Sequence, residues 1–420
     1  MKKNRFFTTL LISSMLVSFT GCFNPIFSEI RKDVAPETAT VSGNITSITR
    51  YTAGGQEYLV LNADEGLKYK LTSNEEHDSW NIFTALPFEL SHFNYSNSTY
   101  EGQQIIKVLA DSENLYLFCV KYEATGWEGK TNPSAFCLWS SKISAENGIW
   151  NPNSEWTSMN VSAHNYFPLE QNSNDYYYSN FNFFQTNAPI AANRHAYLCT
   201  YDEASKKCSY YELAGLDSIV EIIIPENEVE DYSLARGNDD AYDDDTDIPY
   251  NRVYSAVYFD GRVRFFHSVA STTDETYSTQ ASHIYFGNYE TLYYKSLNDS
   301  TYTSVADETK SRYIANLATC KDSLLIGCGE FATGTGSGGI KRVILSEGIP
   351  QGKIIDDFDS NAKTQLSTSY FISALINATP DRTEAASALY AALTYADTNG
   401  VFANIGLWSY YPERGNWNRE

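Results

Sequence analysis

An all-β body built from repeated four-stranded sheets is the architecture this sequence predicts, and three observations lead to it. The chain of 420 residues holds 32 tyrosines and 22 phenylalanines but only 3 methionines, and aromatic and β-branched residues favour pleated, half-buried surfaces. Short apolar runs are separated by clusters of Gly, Asn, Asp and Ser, which mark turns. A strand–turn–strand pattern also recurs along the chain.

The copies run in order as follows. Ile45 to Tyr51 turns at Gly54-Gly55 into Tyr58 to Leu61, and Ile105 to Ala110 turns at Asp111 to Asn114 into Leu115 to Val120. Asn182 to Phe184 with Ala196 to Tyr201 is a poorer copy. Val253 to Phe259 turns at Asp260-Gly261 into Val263 to Phe266, and Tyr313 to Thr319 turns at Asp322 into Leu324 to Ile326. Phe371 to Ile376 is followed, after a longer loop, by Ala388 to Leu393.

A second shared element follows some of these copies. Leu138-Trp139-Ser140 precedes Gly148-Ile149-Trp150-Asn151, and Leu407-Trp408-Ser409 precedes Gly415-Asn416-Trp417-Asn418. Leu67 to Leu71 with Ser79-Trp80-Asn81 is a weaker version. Each reads as a strand, a polar turn and an edge strand opened by tryptophan.

A four-stranded unit repeated about every sixty residues is the pattern of a β-propeller blade, which cannot shield both its faces alone and stacks on neighbours around an axis. The expected domain spans residues 41–420 with six blades, or seven if the Ile-rich run Ser218 to Pro225 belongs to an extra one. Stretches around Asn172 to Tyr178 and Glu226 to Asp247 read as insertions. A pair of β-sandwiches is the rival architecture. Within Arg382 to Ala396, Glu384-Ala-Ala-Ser-Ala-Leu favours a helix, whereas the repeat requires a strand.

Residues 1–21 read as a signal peptide. Lys2, Lys3 and Arg5 precede an apolar stretch from Phe6 to Phe19, which ends at Thr20-Gly21-Cys22. Such a core falls short of the roughly twenty apolar residues a membrane-spanning helix needs. The segment resembles the lipobox of bacterial lipoproteins: Gly21 fits it, and Phe19 replaces the usual Leu, as the looser lipoboxes of spirochaete lipoproteins tolerate. The resemblance covers only this segment. It implies acyl chains on Cys22, a tether over residues 22–40, and a chain anchored to the inner or outer membrane of the cell envelope, periplasmic or surface-exposed. An ordinary signal peptide with an incidental cysteine is the plainer alternative.

The formal net charge is −22. Cleavage would remove three positive charges and no negative ones, giving −25. Such a surface repels phosphate backbones and argues against nucleic acid as a partner. Six cysteines follow Cys22 as three local pairs. In an exported chain an even number suggests disulfides. Cys119 with Cys137, and Cys199 with Cys208, sit symmetrically about turns and are the candidate bridges, with buried thiols as the alternative. Cys320 and Cys328 suit a bridge less well. No CxxC or close histidine pair supports zinc.

Few motifs carry chemistry. Ser144-Ala-Glu-Asn-Gly148-Ile-Trp150 partly resembles the Asp-box of sialidase-like propellers, with Glu146 in place of Asp and the Thr missing. That motif is structural and lies away from catalytic centres. A sialidase would also need clustered arginines for a carboxylate, and its Phe-Arg-Ile-Pro signature is absent. Arg262 and Arg264 alternate on one strand, as solvated charges do. The run containing Asp243, Asp245 and Asp247 could hold calcium, although it lacks the EF-hand order and reads more plainly as a solvated acidic loop. Gly334 to Lys341 does not fit a phosphate loop and reads as a hairpin loop. The six histidines form no HxH or HExxH. Tyr176, Tyr177 and Tyr178 lie in an aromatic insertion and are candidate ligand-contact residues, or blade packing.

The expected function is therefore a membrane-anchored, non-catalytic binding or scaffold propeller for a protein or glycan ligand. The expected chain is monomeric, with no cofactor required and membrane lipid engaged through Cys22. A glycoside hydrolase on the same fold is the alternative, to be distinguished by arginines or carboxylates converging at the channel mouth.

Overall fold

The computed structural model describes residues 41–420 except 77–78, 97–98, 122–123, 126–134, 160–180, 203–204, 206, 236–251, 289–290, 308–312, 321, 330–337, 356–369, 381–387, 397–401 and 412–415. The expected signal peptide, Cys22 and the tether lie outside the described residues. So do Tyr176 to Tyr178 and the acidic run with Asp243, Asp245 and Asp247.

Six antiparallel blades surround one axis, each laid down in sequence order. Blade 1 comprises Ile48–Ala53, Gln56–Ala63, Gly66–Leu71 and Asn81–Phe83. Blade 2 comprises Gln103–Ala110, Leu115–Lys121, Ala135–Ser141 and Trp156–Met159. Blade 3 comprises Phe181–Gln185, Ala196–Asp202, Lys207–Leu213 and Ile219–Ile222. Blade 4 comprises Ala270–Thr273, His283–Asn288, Thr291–Ser296 and Thr303–Ser304. Blade 5 comprises Ile314–Cys320, Ser323–Cys328, Gly339–Ser346 and Ile349–Ile355, with Ala306–Asp307 added in parallel at its outer edge. Blade 6 comprises Tyr370–Asn377, Leu389–Ala396, Phe402–Tyr411 and Asn416–Arg419.

The six-blade propeller agrees with the repeat, but two assignments differ. Ser218 to Pro225 makes no extra blade, because Ile219–Ile222 pairs with Tyr210 to Leu213 as the outer strand of blade 3. The copy at Val253 to Phe266 is a two-stranded hairpin, Ser255–Phe259 with Arg262–Phe266, wedged between blades 3 and 4. The chain from Ala270 to Ser304 forms blade 4, which the repeat pattern did not single out. Of the stretch Arg382 to Ala396, Leu389–Ala396 is a strand paired on both sides within blade 6, while the helix-favouring residues Glu384 to Ser387 lie outside the described residues.

The core explains the apolar runs. Side chains alternate faces along a strand, so a strand sandwiched between two neighbours buries both sets and reads as continuously apolar. Tyr58 and Val60 enter the cluster shared with blade 2, while Leu59 and Leu61 enter the cluster shared with blade 6. Seven such clusters lie around the ring, one at each seam, including both seams of the hairpin. Glu230 holds the hairpin in place, pairing with Arg264 at 2.7 Å and with Lys295 of blade 4 at 3.1 Å. The alternating arginines thus differ: Arg264 is committed to this contact, whereas Arg262 is exposed.

The tryptophan signals resolve locally. Trp417 lies in the outer strand of blade 6, and Trp80 just precedes that of blade 1. In blade 2, Trp156 opens the outer strand. Trp150 instead ends a small hairpin, Ala145–Glu146 with Ile149–Trp150. Asn147 and Gly148 turn that hairpin with φ of 52° and 83°, the conformation of a tight type I′ turn. The turn at Gly54 packs so closely that a Cβ there would meet the Ala145 carbonyl oxygen at 2.3 Å.

Ring closure joins the first and last blades. Val41 N–H donates to the Glu420 carbonyl at 2.9 Å, and Leu407 N–H donates to the Val41 carbonyl at 3.0 Å. Lys70 and Glu420 form a fully buried ion pair at 2.7 Å, and the Trp80 indole N–H also donates to the Glu420 carboxylate at 2.7 Å.

Candidate functional site

The inner strands of the blades and the hairpin enclose a central channel with a cavity of about 230 Å³. Arg50, Lys107, Gln185, Asn187, Glu275 and Asn316 contribute its most polar lining. That volume falls below the roughly 300–1,000 Å³ of drug-sized ligand pockets. The cavity therefore suits water or a small solute.

Near the start of the inner strands, side-chain donors reach from one unit to the next around the ring. Thr46 donates to the Ile106 carbonyl, and the Lys107 ammonium to the Phe183 carbonyl. Asn182 donates to Val253 O at 3.3 Å, Ser255 to Ser268 O at 2.6 Å, Asn316 to Ile372 O at 2.7 Å, and Ser373 to Ile45 O at 2.7 Å. Bulges at Ile105/Lys107, Ile314/Asn316 and Ile372/Ala374 interrupt three of these strands at this level, as bulges re-aim side chains.

Lys107 is the one cation in this belt among the described residues. Burial pushes its ammonium from the usual 10.5 down to about 8. Between those values the folded chain sheds a proton that the unfolded chain keeps, so stability rises with pH there. Below pH 8 the full cost of burying the charge is present. Relative to Lys107→Met, the native chain should gain on the order of 2–3 kcal/mol between pH 7 and pH 10.5. Paired urea-unfolding curves test this, and a constant difference between the two proteins would contradict it.

At the other end of the inner strands two arginines converge. Arg50 donates to Asn187 O at 2.6 Å and to Asn377 O, joining blades 1, 3 and 6. Arg194 donates to Ala188 O at 2.8 Å and Pro189 O at 2.6 Å, and lies 2.7 Å from Glu57. Glu275 accepts from Asn193 at 2.6 Å, and burial raises its carboxyl despite that bond and the nearby Arg50 and Arg194. Three buried atoms facing this cluster, Arg50 Nε, Asn187 Oδ1 and Glu275 Oε2, have no hydrogen-bond partner among the described residues. The guanidinium groups thus serve main-chain carbonyls and one carboxylate of the chain, which is a strut across the ring rather than a clamp opened toward a substrate carboxylate.

The remaining sequence candidates are placed as follows. Cys137 stands directly opposite Cys119 in blade 2, where antiparallel partners lie about 4.5–5.5 Å apart at Cα, within reach of a bridge. Cys199 and Cys208 are diagonal neighbours in blade 3, since Cys199 faces Tyr210 and Tyr201 faces Cys208. Cys320 and Cys328 occupy opposite ends of one hairpin of blade 5. All six stand as thiols. The Asp-box-like stretch is the Trp150 hairpin, outside the channel, with Trp150 buried in the blade 1–blade 2 seam. His195, His267 and His283 contact Glu212, the Arg252 carbonyl and Asp274, respectively.

Arg50, Lys107 and Glu275 were not singled out from sequence, though a trace was present. Lys107 interrupts the apolar run Ile105-Ile106-Lys107-Val108-Leu109, and Arg50 interrupts Ile48 to Tyr51. A charge within a strand that should be buried on both faces must point along the axis or find a partner.

No family model matches the chain, and no curated protein matches it. Among solved structures, the chain is similar to a puromycin hydrolase S511A mutant complexed with PGG, at 8% identity and a TM-score of 0.32, over 89% of this chain and 58% of that one. It is also similar to PorZ, a surface component of the type-IX secretion system of Porphyromonas gingivalis, at 10% identity and a TM-score of 0.22, over 91% of this chain and 42% of that one. The chain spans less than two thirds of the length of either.

Proposed function

We propose that this chain is a lipid-anchored, non-catalytic binding propeller of the cell envelope, and that its ligand is a protein held at the outer surface of the ring. The propeller fold itself fits a binding or scaffold role, because a rigid ring presents edges and loops as contact surfaces. The observation that carries the reading is the contrast between channel and rim. The channel is narrow and its cations Arg50 and Lys107 bond to the chain's own carbonyls, whereas the outer edge of blade 3 is apolar and open among the described residues. There Leu216, Val220 and Ile223 are exposed, Ile223 at 91%. Among the described residues the strand Ile219–Ile222 is the edge of its sheet, with one row of main-chain groups available for strand addition. Exposed apolar surface at a sheet edge is a recognised mark of protein interaction.

Two variants test the two halves of this reading. Cys22→Ala should remove radiolabelled palmitate and move the chain from the detergent phase to the aqueous phase. Retention of both would end the lipid anchor. In crosslinking and pull-down from the native cell envelope, the wild-type chain should enrich a protein partner that Val220→Lys/Ile223→Glu loses. Equal recovery by that variant, clean binding on a glycan array, or release of product from a glycan substrate would each overturn the proposed protein ligand.

A further inference from the structure

Among the described residues, the seam between blade 3 and the hairpin holds a charged group without an acidic partner. Arg252 is buried at 4% exposure. Its guanidinium lies over the rings of Tyr201 and Tyr254, at 5.4 and 5.9 Å from their centroids. Its Nε and Nη2 have no hydrogen-bond partner, and no carboxylate lies within 4 Å of it among the described residues. A buried cation requires a counter-charge.

The ionisable group that meets Arg252 is Cys208. Cys199 and Cys208 lie on the same face of neighbouring strands, turned toward the hairpin. The Cys199 thiol donates to Cys208, and Arg252 and Tyr210 also bond to the Cys208 sulfur. The bond from Cys199, with Arg252 beside it, pulls the Cys208 thiol below its ordinary range, while that same bond and burial push Cys199 far up. Exposure also differs: Cys199 is fully buried and Cys208 is half-buried. Cys208 is therefore the more acidic and more reachable sulfur, and Cys199 is the protonated one held in reserve. Burial raises both Cys119 and Cys137, and Cys320 and Cys328 are buried in blade 5.

We propose that Cys208, with Arg252 as its counter-ion and Cys199 as its resolving partner, is a thiol-modification site that reacts with small-molecule disulfides. The Cys208 thiolate attacks one sulfur of the disulfide, forming a mixed disulfide and releasing one thiolate. With no Cys208 thiolate left to hold its proton, Cys199 gives that proton to the thiolate just released and, as a thiolate, attacks the Cys208 sulfur, forming the Cys199–Cys208 bond and releasing the second half of the reagent. The Cys199 proton leaves on one of the released thiols. The protein loses two electrons and the small disulfide gains them, so the exchange balances without another reactant.

The test uses the full chain, reduced first and freed of reductant. Iodoacetamide labelling, read site by site by mass spectrometry across pH 5 to 10, should modify Cys208 about tenfold faster than the other cysteines of the body at pH 7, because the thiolate is the nucleophile. Oxidised glutathione should give the Cys199–Cys208 disulfide in the wild type and a stable mixed disulfide on Cys208 in Cys199→Ser. Arg252→Met should move the midpoint of the Cys208 pH–rate profile upward by one unit or more, and Arg252→Lys should largely restore it. The midpoint separates an electrostatic role from a packing role, and the lysine variant keeps the test open if the methionine variant unfolds. Cys208 labelling no faster than Cys320, a profile indifferent to Arg252→Met in a folded chain, or no mixed disulfide in Cys199→Ser would each overturn the proposal.

Discussion

Lys70→Ala should destabilise the ring by about 3–5 kcal/mol, because it strands a carboxylate in the seam between the first and last blades. Lys70 and the Glu420 side chain are both at 0% exposure and 2.7 Å apart. Lys70 also lies over the rings of Trp80 and Tyr390, at 5.7 and 5.3 Å. Taking either charge away alone leaves the other in a site that water does not reach. Taking both away should recover most of the loss, since a buried pair gains little over apolar groups that fill the same space. A double-mutant cycle with Lys70→Met and Glu420→Leu in urea checks this. The expected coupling exceeds about 2 kcal/mol and persists in 1 M salt, because screening acts weakly on buried pairs. A single-variant loss below about 1 kcal/mol, the usual worth of a surface pair, would show that the seam admits water.

Trp150→Ala should cost a similar amount, about 3–5 kcal/mol, through a different mechanism. Trp150 is 2% exposed. It stacks on Tyr69 with centroids 4.2 Å apart and planes 3° apart, and meets Tyr51, Tyr58 and Phe83 edge-on at 5.6–5.8 Å. Truncation leaves a void among four aromatic rings fixed by separate strands of blade 1, and these rings have little freedom to collapse into it. The indole Nε1 has no partner among the described residues, so Trp150→Phe loses no hydrogen bond there and should cost less than about half as much. Urea unfolding of the two variants gives the ratio. If alanine and phenylalanine cost the same, the stack contributes nothing, and the hairpin is held by its main chain alone.

These two residues also mark where the sequence was readable. The apolar pairs of strands at Tyr58 to Leu61, Leu115 to Val120 and Leu324 to Ile326 announced a ring of sheets, because burial on both faces forces nearly every position to be apolar. The Leu-Trp-Ser strands announced the third strands of blades 2 and 6, Leu67 to Leu71 that of blade 1, and Trp417 and Trp80 the fourth strands of blades 6 and 1. Trp150 misled in one respect, since a tryptophan that closes a side hairpin and one that opens an edge strand look alike in sequence. The hairpin at Val253 to Phe266 looked like half a blade, because its two strands carry the same alternation as a full one.

Strand identity, turn chemistry and the recurrence of similar sheets were thus local properties, set by side-chain period and by Gly, Asn and Asp at the turns. Seam partners were not, because nothing local specifies which distant residue stands across a seam. Lys70 and Glu420 are 350 positions apart, Arg50 and Asn377 are 327 apart, and Arg252 gains its meaning only beside Cys208 and Tyr201. Periodicity tells a strand which face to bury. Only closure of the ring decides what that face meets, and therefore which buried charge finds a carboxylate, which finds a carbonyl and which finds a thiol.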